Sequence, residues 1–202
     1  MKKQSILIIF AIITVSVFAQ SNKTGDNFLK NPFNLQKFKK VKGGSHSGGV
    51  NKKDYYYQPK GKGVFYYFSS FDEGRKDYVY EGSENQTKKY HTADWGGIKI
   101  ITYKPAGKYQ QDYTDPNETL IEVFAECNDP DLPELAFVGL DTTIVKNKLV
   151  NNFIRKDDCF LYSKDNNVLV LKLDSGRVTW LKYVRLKFSF DINNIPKALT
   201  KK

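Results

Sequence analysis

The chain has 202 residues and a formal net charge of +10, with 32 lysines and arginines against 22 aspartates and glutamates. This length is sufficient for one domain with its own hydrophobic core. The chain has only two histidines, His46 and His91, in unlike surroundings, which excludes a typical clustered metal site, so we predict neither a metal nor another cofactor.

Residues 1–19 have the pattern of a secretory signal peptide. Lys2 and Lys3 give a positive start, residues 6–18 are mostly apolar, and Ala19 supplies a small residue for cleavage. The apolar run is shorter than the roughly 20 residues that cross a bilayer, so no transmembrane span is expected after cleavage. The alternative is an uncleaved membrane anchor. We expect an exported protein, either periplasmic or secreted.

The positive charge is concentrated next to this segment. Residues 20–63 contain ten lysines and two acids, whereas residues 64–202 contain 20 basic and 20 acidic side chains. A globular nucleic-acid binder normally carries its basic surface on the folded domain as well, so we predict no specific nucleic-acid binding.

We interpret residues 20–63 as a basic, flexible segment. Leu35, Phe38 and Val41 recur at helical spacing, which predicts a short helix over residues 32–42, and the following glycine-serine run would end it. The lysines in residues 30–62 have two interpretations. They either make weak electrostatic contacts with anionic surfaces or keep a solvated tether soluble.

Residues 64–202 are predicted to form a single α+β domain with a strand-rich, antiparallel sheet. Residues 64–71 are aromatic and β-rich, and with the alternating residues 77–81 they are typical of a hairpin. Residues 98–104 and 119–127 are two further β-rich runs.

A helix followed by a meander is predicted in the second half of this domain. Asp141 can cap a helix over about residues 141–154, whose apolar positions form one stripe that we expect to pack on one face of the sheet. Residues 159–162, 168–173 and 177–190 follow as strands joined by short turns. In the last strand, Val178, Trp180 and Val184 alternate with polar residues and with Tyr183, which predicts a sheet that is buried on one side only.

The stretch FVGLDTTIVKNKLVNNF, followed by CFLYSKDNNVLVLKLDSGRVTWLKYVRL, lies within residues 137–190. It resembles the helix-plus-antiparallel-meander half of SmpA/OmlA-type and β-lactamase-inhibitor-protein-like envelope proteins. The resemblance implies a helix layer against an antiparallel sheet and a role in protein binding. It assigns a function to no individual residue.

Two neighbouring loops combine aromatic rings with polar side chains. Rings stack on sugar faces and carboxylates accept hydroxyl protons, so these loops are our candidate ligand-binding site. Its residues are Tyr90, His91, Asp94, Trp95, Tyr109, Asp112 and Tyr113. The alternative is a structural loop whose aromatic residues anchor it to the core.

Cys127 and Cys159 are the only cysteines, in a chain that we expect to enter an oxidising compartment. An even number of cysteines and this compartment favour a disulfide between them. The alternative is two separate buried thiols.

The chain contains no nucleophile-elbow, phosphate-loop or Cys-x-x-Cys motif, so no catalytic residue is assigned. We expect a non-enzymatic binding or envelope-associated protein whose partner is a protein or a surface polysaccharide. The alternative is a carbohydrate- or cell-wall-active enzyme that uses loop carboxylates. A secreted nuclease-like toxin has less support, because two isolated histidines are few for acid-base work on phosphodiesters.

Export gives the first prediction. Because the cleavage pattern ends at Ala19, the mature protein should begin at Gln20. N-terminal sequencing of the protein recovered outside the cytoplasm tests this. A secreted chain that still begins at Met1 would contradict it.

Overall fold

The described part of the chain forms one antiparallel β-sheet. The computed structural model describes residues 25–42, 45–48, 52–59, 61–71, 97–107, 115–149 and 153–201. The strands are β1 (Ser45–Gly48), β2 (Gly63–Phe71), β3 (Gly97–Pro105), β4 (Thr119–Ala125), β5 (Ile154–Lys156), β6 (Cys159–Lys164), β7 (Asn167–Asp174) and β8 (Arg177–Arg185). Their order across the sheet is β1-β2-β3-β4-β8-β7-β6-β5. Every neighbouring pair is antiparallel, which confirms the α+β class with an antiparallel sheet.

The sheet consists of two meanders that meet at a central seam. Strands β1 to β4 follow one another across one half, and β5 to β8 follow one another across the other half. The last strand, β8, therefore lies beside β4, and the register of this seam runs from Glu122 opposite Val184 to Ala125 opposite Leu181. Short turns explain the second meander, because two-residue connections force neighbouring strands to be antiparallel.

Short helices contribute buried side chains to the first face of the sheet. They are α1 (residues 25–30), α2 (Leu35–Lys42) and α3 (Thr142–Lys148). Side chains from these helices and from the α1–α2 connection join strand residues in one buried cluster. The helical side of the cluster includes Phe28, Leu29, Phe33, Leu35, Phe38 and Val145.

Two irregular segments cover the second face. Tyr55 and Tyr56 come from residues 52–59, and Leu186 and Leu199 come from the C-terminal segment. They form a second buried cluster with strand residues such as Trp180. The sheet is therefore buried on both faces, rather than on one.

Two β-bulges decide which face each central side chain reaches. The β3–β4 register passes from Ile101 opposite Glu122 to Thr102 opposite Leu120, so Ile121 is an extra residue. The β7–β8 register shifts in the same way and leaves Thr179 as the extra residue. An extra residue breaks the alternation of side chains, so residues on either side of it can reach unexpected faces.

The bulge in β8 corrects the predicted pattern of the last strand. Val178 joins the first cluster and Trp180 joins the second, although alternation places them together. Tyr183, assigned to the polar face, is fully buried. The strand also ends at Arg185 rather than at residue 190. A strand covered on both faces needs apolar residues on both, which simple alternation does not anticipate.

Helix α3 is shorter than the sequence predicts. Asp141 caps it as expected, because its carboxylate accepts a 2.7 Å hydrogen bond from the backbone N–H of Thr143. The helix ends at Lys148 instead of continuing to residue 154. Ile154 lies in β5 opposite Leu161, and a residue that belongs to a strand ladder cannot extend the helix.

The aromatic run at residues 64–71 forms β2 as predicted, but its described partners differ from the expected hairpin. It pairs with β3 along its length and with β1 over part of it. Residues 77–81 lie outside the described residues.

The basic N-terminal segment also differs from the prediction. The sequence interpretation makes residues 20–63 flexible, whereas the described positions there include α1, α2, β1 and the buried Tyr55 and Tyr56. The predicted short helix is present as α2, but it begins at Leu35 rather than at residue 32, and its cap is Asn34, whose Oδ1 accepts a hydrogen bond from the N–H of Lys37. The net charge of this segment gives no information about its apolar residues, which anchor it to the sheet.

The expected disulfide is absent, because Cys127 and Cys159 lie on opposite sides of the sheet. Cys127 packs against the first cluster, and the thiol of Cys159 is buried in the second. Burial raises the pKa of Cys159 to about 11, so this thiol stays protonated and unreactive at neutral pH.

The packing of α2 predicts the effect of truncating Phe38, which is 4% exposed and contacts Phe33 edge-on. Phe38→Ala should lower the free energy of unfolding by about 3–5 kcal/mol, since it leaves a cavity in the core. Lys40→Ala, on the exposed side of the same helix, should change it by no more than about 0.5 kcal/mol. Urea unfolding of both variants tests this, and equal small effects would show that α2 does not belong to the core.

Candidate functional site

A cavity of about 180 Å³ opens on the first face of the sheet, at one end of the β4–β8 seam. Seam pairing stops at Glu122 and Val184. Beyond that point residues 55–57 lie beside β8 in the place of β4. The backbone N–H of Tyr57 donates a hydrogen bond to the carbonyl of Arg185, and Tyr56 forms an isolated antiparallel β-bridge with Leu186. The two central strands therefore separate here. The cavity is lined by Lys30, Asn31, Pro32, Leu35, Glu118, Thr119, Leu120, Tyr183 and Arg185.

Tyr183 ties three elements together at the cavity. Its hydroxyl lies 3.1 Å from both the carbonyl oxygen of Leu29 in α1 and Oδ1 of Asn167 in β7. Burial raises the pKa of Tyr183 above its usual range, so the hydroxyl remains a neutral hydrogen-bonding group. This contact holds the end of α1 against the sheet.

Arg185 is oriented by the same network. Its Nε donates a 3.2 Å hydrogen bond to Oδ1 of Asn167, and its guanidinium lies 5.8 Å from the centre of the Tyr57 ring. A guanidinium has five N–H donors in a planar fork, and only one of them is used in this contact. The side chain is thus held in place while retaining donors for another group.

The one carboxylate among the lining residues is neutralised internally. Oε2 of Glu118 lies 2.6 Å from Nζ of Lys39, and the side chains of both residues are fully buried. The hydroxyl of Thr102 donates to the other oxygen, Oε1. Since buried charges are stable only when they are paired, this carboxylate is committed to Lys39 and does not offer the cavity a general acid or base.

The other charged side chains among the described lining residues are positive. Lys30 is exposed at the end of α1, and neither Lys30 nor Arg185 makes an ion pair with any residue that the structure describes. With Glu118 paired to Lys39, the lining carries a local excess of positive charge. Such a cavity is suited to an anionic group.

A second polar cluster lies on the opposite face of β4. The bulge at Ile121 turns Glu122 toward the second cluster, where it accepts a 2.9 Å hydrogen bond from the hydroxyl of Tyr56 and pairs with Lys53 at 3.2 Å. Burial, the nearby Glu122 charge and this hydrogen bond raise the pKa of Tyr56. Burial lowers the pKa of the neighbouring Lys182, whose ammonium donates to the carbonyls of Ala198 and Lys201. These contacts attach residues 52–59 and the C-terminal segment to the sheet.

The loop residues that the sequence proposes for sugar binding are not among these sites. Tyr90, His91, Asp94, Trp95, Tyr109, Asp112 and Tyr113 all lie outside the described residues. Within the described ranges, no three histidine, cysteine or acidic side chains are grouped so that they could hold a metal ion. None of the helices described has the length and apolar character that a membrane crossing requires.

Sequence reasoning missed the cavity because its residues are far apart in the chain. Lining residues come from positions 30–35, 118–120 and 183–185, and even the supporting pair beside the cavity, Lys39 and Glu118, is separated by 79 positions. The sequence does carry a signal for the second polar cluster, on the opposite face of the sheet. Single charged residues such as Glu122 and Lys182 interrupt otherwise apolar strands, and a charge at such a position indicates a buried partner.

No protein-family model, curated protein or solved structure matches this chain. The candidate site therefore rests on its own geometry.

The buried pair beside the cavity predicts a strong coupling. Lys39→Met leaves the Glu118 carboxylate buried without its cation, and should lower the free energy of unfolding by about 3–5 kcal/mol. The double variant Lys39→Met/Glu118→Gln should recover most of this loss, because the uncompensated charge is gone. Urea unfolding of the wild type, both single variants and the double variant gives the coupling energy.

Lys37→Met is the matched control, since Lys37 is exposed on the same helix. A loss as large in this control as in Lys39→Met would show that the buried ion pair is not the cause.

Proposed function

We propose that this is an exported, non-enzymatic binding protein whose partner is an anionic surface polysaccharide. The observation that carries the proposal is the basic surface of the α1–α2 segment. Lys30, Lys37 and Lys40 are exposed there, and the cavity beside them is lined by Lys30 and Arg185. Export is supported by the signal-peptide pattern of residues 1–19.

The anchoring of α2 supports binding to a polymer. Leu35, Phe38 and Lys39 point into the protein, which leaves Lys37 and Lys40 on the solvent side. Lysines on an anchored helix lose less conformational freedom on binding than lysines on a flexible tether. They would therefore bind a repeating anionic surface more effectively than the tether expected from the sequence.

The position of Glu118 supports binding over catalysis. Among the described lining residues it is the one acidic side chain, and Lys39 and Thr102 contact its two oxygens. The alternative, a carbohydrate- or cell-wall-active enzyme, depends on loop carboxylates such as Asp94 and Asp112, which lie outside the described residues. The described geometry therefore favours the binding role.

The resemblance to SmpA/OmlA-type and β-lactamase-inhibitor-protein-like envelope proteins is retained as part of this proposal. It implies a helix layer against an antiparallel sheet. Val145 and Leu149 pack into the first cluster, which supports a role for α3 in such a layer. Under this proposal the envelope location is shared with those proteins, whereas the partner is a polysaccharide.

Binding should be strong at low salt and weak at high salt. We expect the mature protein to bind polygalacturonate and dextran sulfate but not neutral dextran, because neutralised anionic groups release counterions. Lys37→Gln/Lys40→Gln should weaken binding at least about 10-fold at low ionic strength and reduce the salt dependence. Isothermal titration calorimetry over a range of salt concentrations measures both effects.

Lys156→Gln/Lys197→Gln removes two exposed charges that belong to β5 and to the C-terminal segment. This matched control should change the affinity by about twofold or less. Equal losses in both double variants would point to net charge alone, and the absence of binding to every anionic polymer would overturn the proposed function.

A further inference from the structure

We infer that the cavity at the end of the β4–β8 seam binds a single oxyanion substituent of the polymer. This substituent is a carboxylate, a sulfate ester or a phosphate ester. Arg185 is its principal ligand, and Lys30 is a second cation. This inference rests on the proposed function and specifies what that site recognises. One charged group of the polymer is then bound inside the cavity, in addition to the contacts that the polymer makes with the exposed lysines.

The size of the cavity fits one substituent. The cavity has a volume of about 180 Å³. Pockets that enclose whole drug-sized ligands are larger, from about 300 Å³ upward. The cavity can therefore take one charged group with a few neighbouring atoms, while the rest of a polymer lies outside it.

The donor set fits an oxyanion. The planar fork of a guanidinium matches the geometry of carboxylate, sulfate and phosphate oxygens. The bond from Nε of Arg185 to Asn167 fixes the plane of this fork before any ligand arrives. A donor that is already oriented loses little freedom on binding, so this contact discriminates between ligands better than a mobile surface lysine does.

The electrostatic surroundings favour the same ligand. Glu118 would repel an anion if its charge were unpaired, but Lys39 neutralises it at 2.6 Å. Leu35, the first residue of α2, also lines the cavity. Lys30, the last residue of α1, lines it too, so the positive end of α2 and the negative end of α1 oppose each other there and the positive field comes from Lys30 and Arg185.

The described lining of the cavity fits a charged substituent better than a ring. Single-stranded nucleic acids are held by rows of exposed aromatic rings on which bases stack. Among the described lining residues the one aromatic side chain is that of Tyr183, which is fully buried and whose hydroxyl contacts Leu29 and Asn167. Among the described lining residues the cavity offers charge and hydrogen bonds without a stacking surface, so it fits a charged substituent rather than a base or the face of a sugar ring.

Arg185→Gln tests the inference, because glutamine retains a polar group near Asn167 and removes the charge. Affinity for polygalacturonate, dextran sulfate or both should fall about 10- to 100-fold, as expected for the loss of a charge-assisted contact. Lys187→Gln removes an exposed charge two residues further along the chain and outside the cavity lining, and should change the affinity by about twofold or less. Circular dichroism and the melting temperature establish that each variant is folded.

A second measurement does not depend on the polymer. In ¹⁵N-labelled wild-type protein, the Nε–H signal of Arg185 should shift saturably on addition of methyl phosphate, methyl sulfate or acetate. The anion that gives the largest shift identifies the preferred substituent. The backbone signals of residues remote from the cavity should not change.

The outcomes separate the two proposals. Equal losses in Arg185→Gln and Lys187→Gln, together with an unchanged Nε–H signal, would overturn the cavity inference and leave the polymer-binding function standing. A saturable Nε–H shift without polymer binding would overturn the proposed function and leave an oxyanion site. An Arg185-specific loss of affinity together with the shift would support both.

Discussion

The fold depends on two glutamates that hold lysines on opposite faces of the central sheet. Glu118, just before β4, pairs with Lys39 on the first face, and Glu122, within β4, pairs with Lys53 on the second. The Lys39–Glu118 side chains are fully buried, whereas that of Lys53 is 45% exposed. Removing charges from water costs several kcal/mol per ion unless they are paired. The burial of Lys39 therefore requires α2 to lie against Glu118, and the more exposed Lys53–Glu122 pair tolerates more movement.

The same arrangement produces the cavity. Residues 55–57 replace β4 beside the end of β8, so that the two central strands separate, and the α1–α2 segment closes the gap on the first face. The segment thus both stabilises the sheet and shapes the candidate site. A change that releases α2 would expose the core and remove one wall of the cavity together. Stability and ligand binding are expected to be coupled for this reason.

The lysines of the basic segment have different roles that their number does not reveal. Lys39 and Lys53 are used to attach the segment to the sheet, while Lys30, Lys37 and Lys40 remain exposed to solvent. The internal pairs cancel acidic charge that would otherwise weaken the positive field near the cavity. The proposed binding of an anionic polymer therefore depends on the exposed lysines and on Arg185, and only indirectly on the buried pairs.

Local patterns in the sequence determined the strand-rich α+β class, the cap at Asp141, the short helix before the glycine-serine run and most strands of both meanders, because period-two and helical patterns are local properties. The tertiary structure decided what those patterns cannot encode. Two one-residue bulges changed which face Val178 and Glu122 reach. Tyr183, which the alternating pattern places on the exposed face, is buried because the sheet is packed on both faces. It also placed Cys127 and Cys159 on opposite sides of the sheet. The cavity could not be predicted because Lys30, Glu118 and Arg185 come together only through long-range packing. A lysine-rich segment also has the same composition whether its ammonium groups lie in water or against a buried carboxylate.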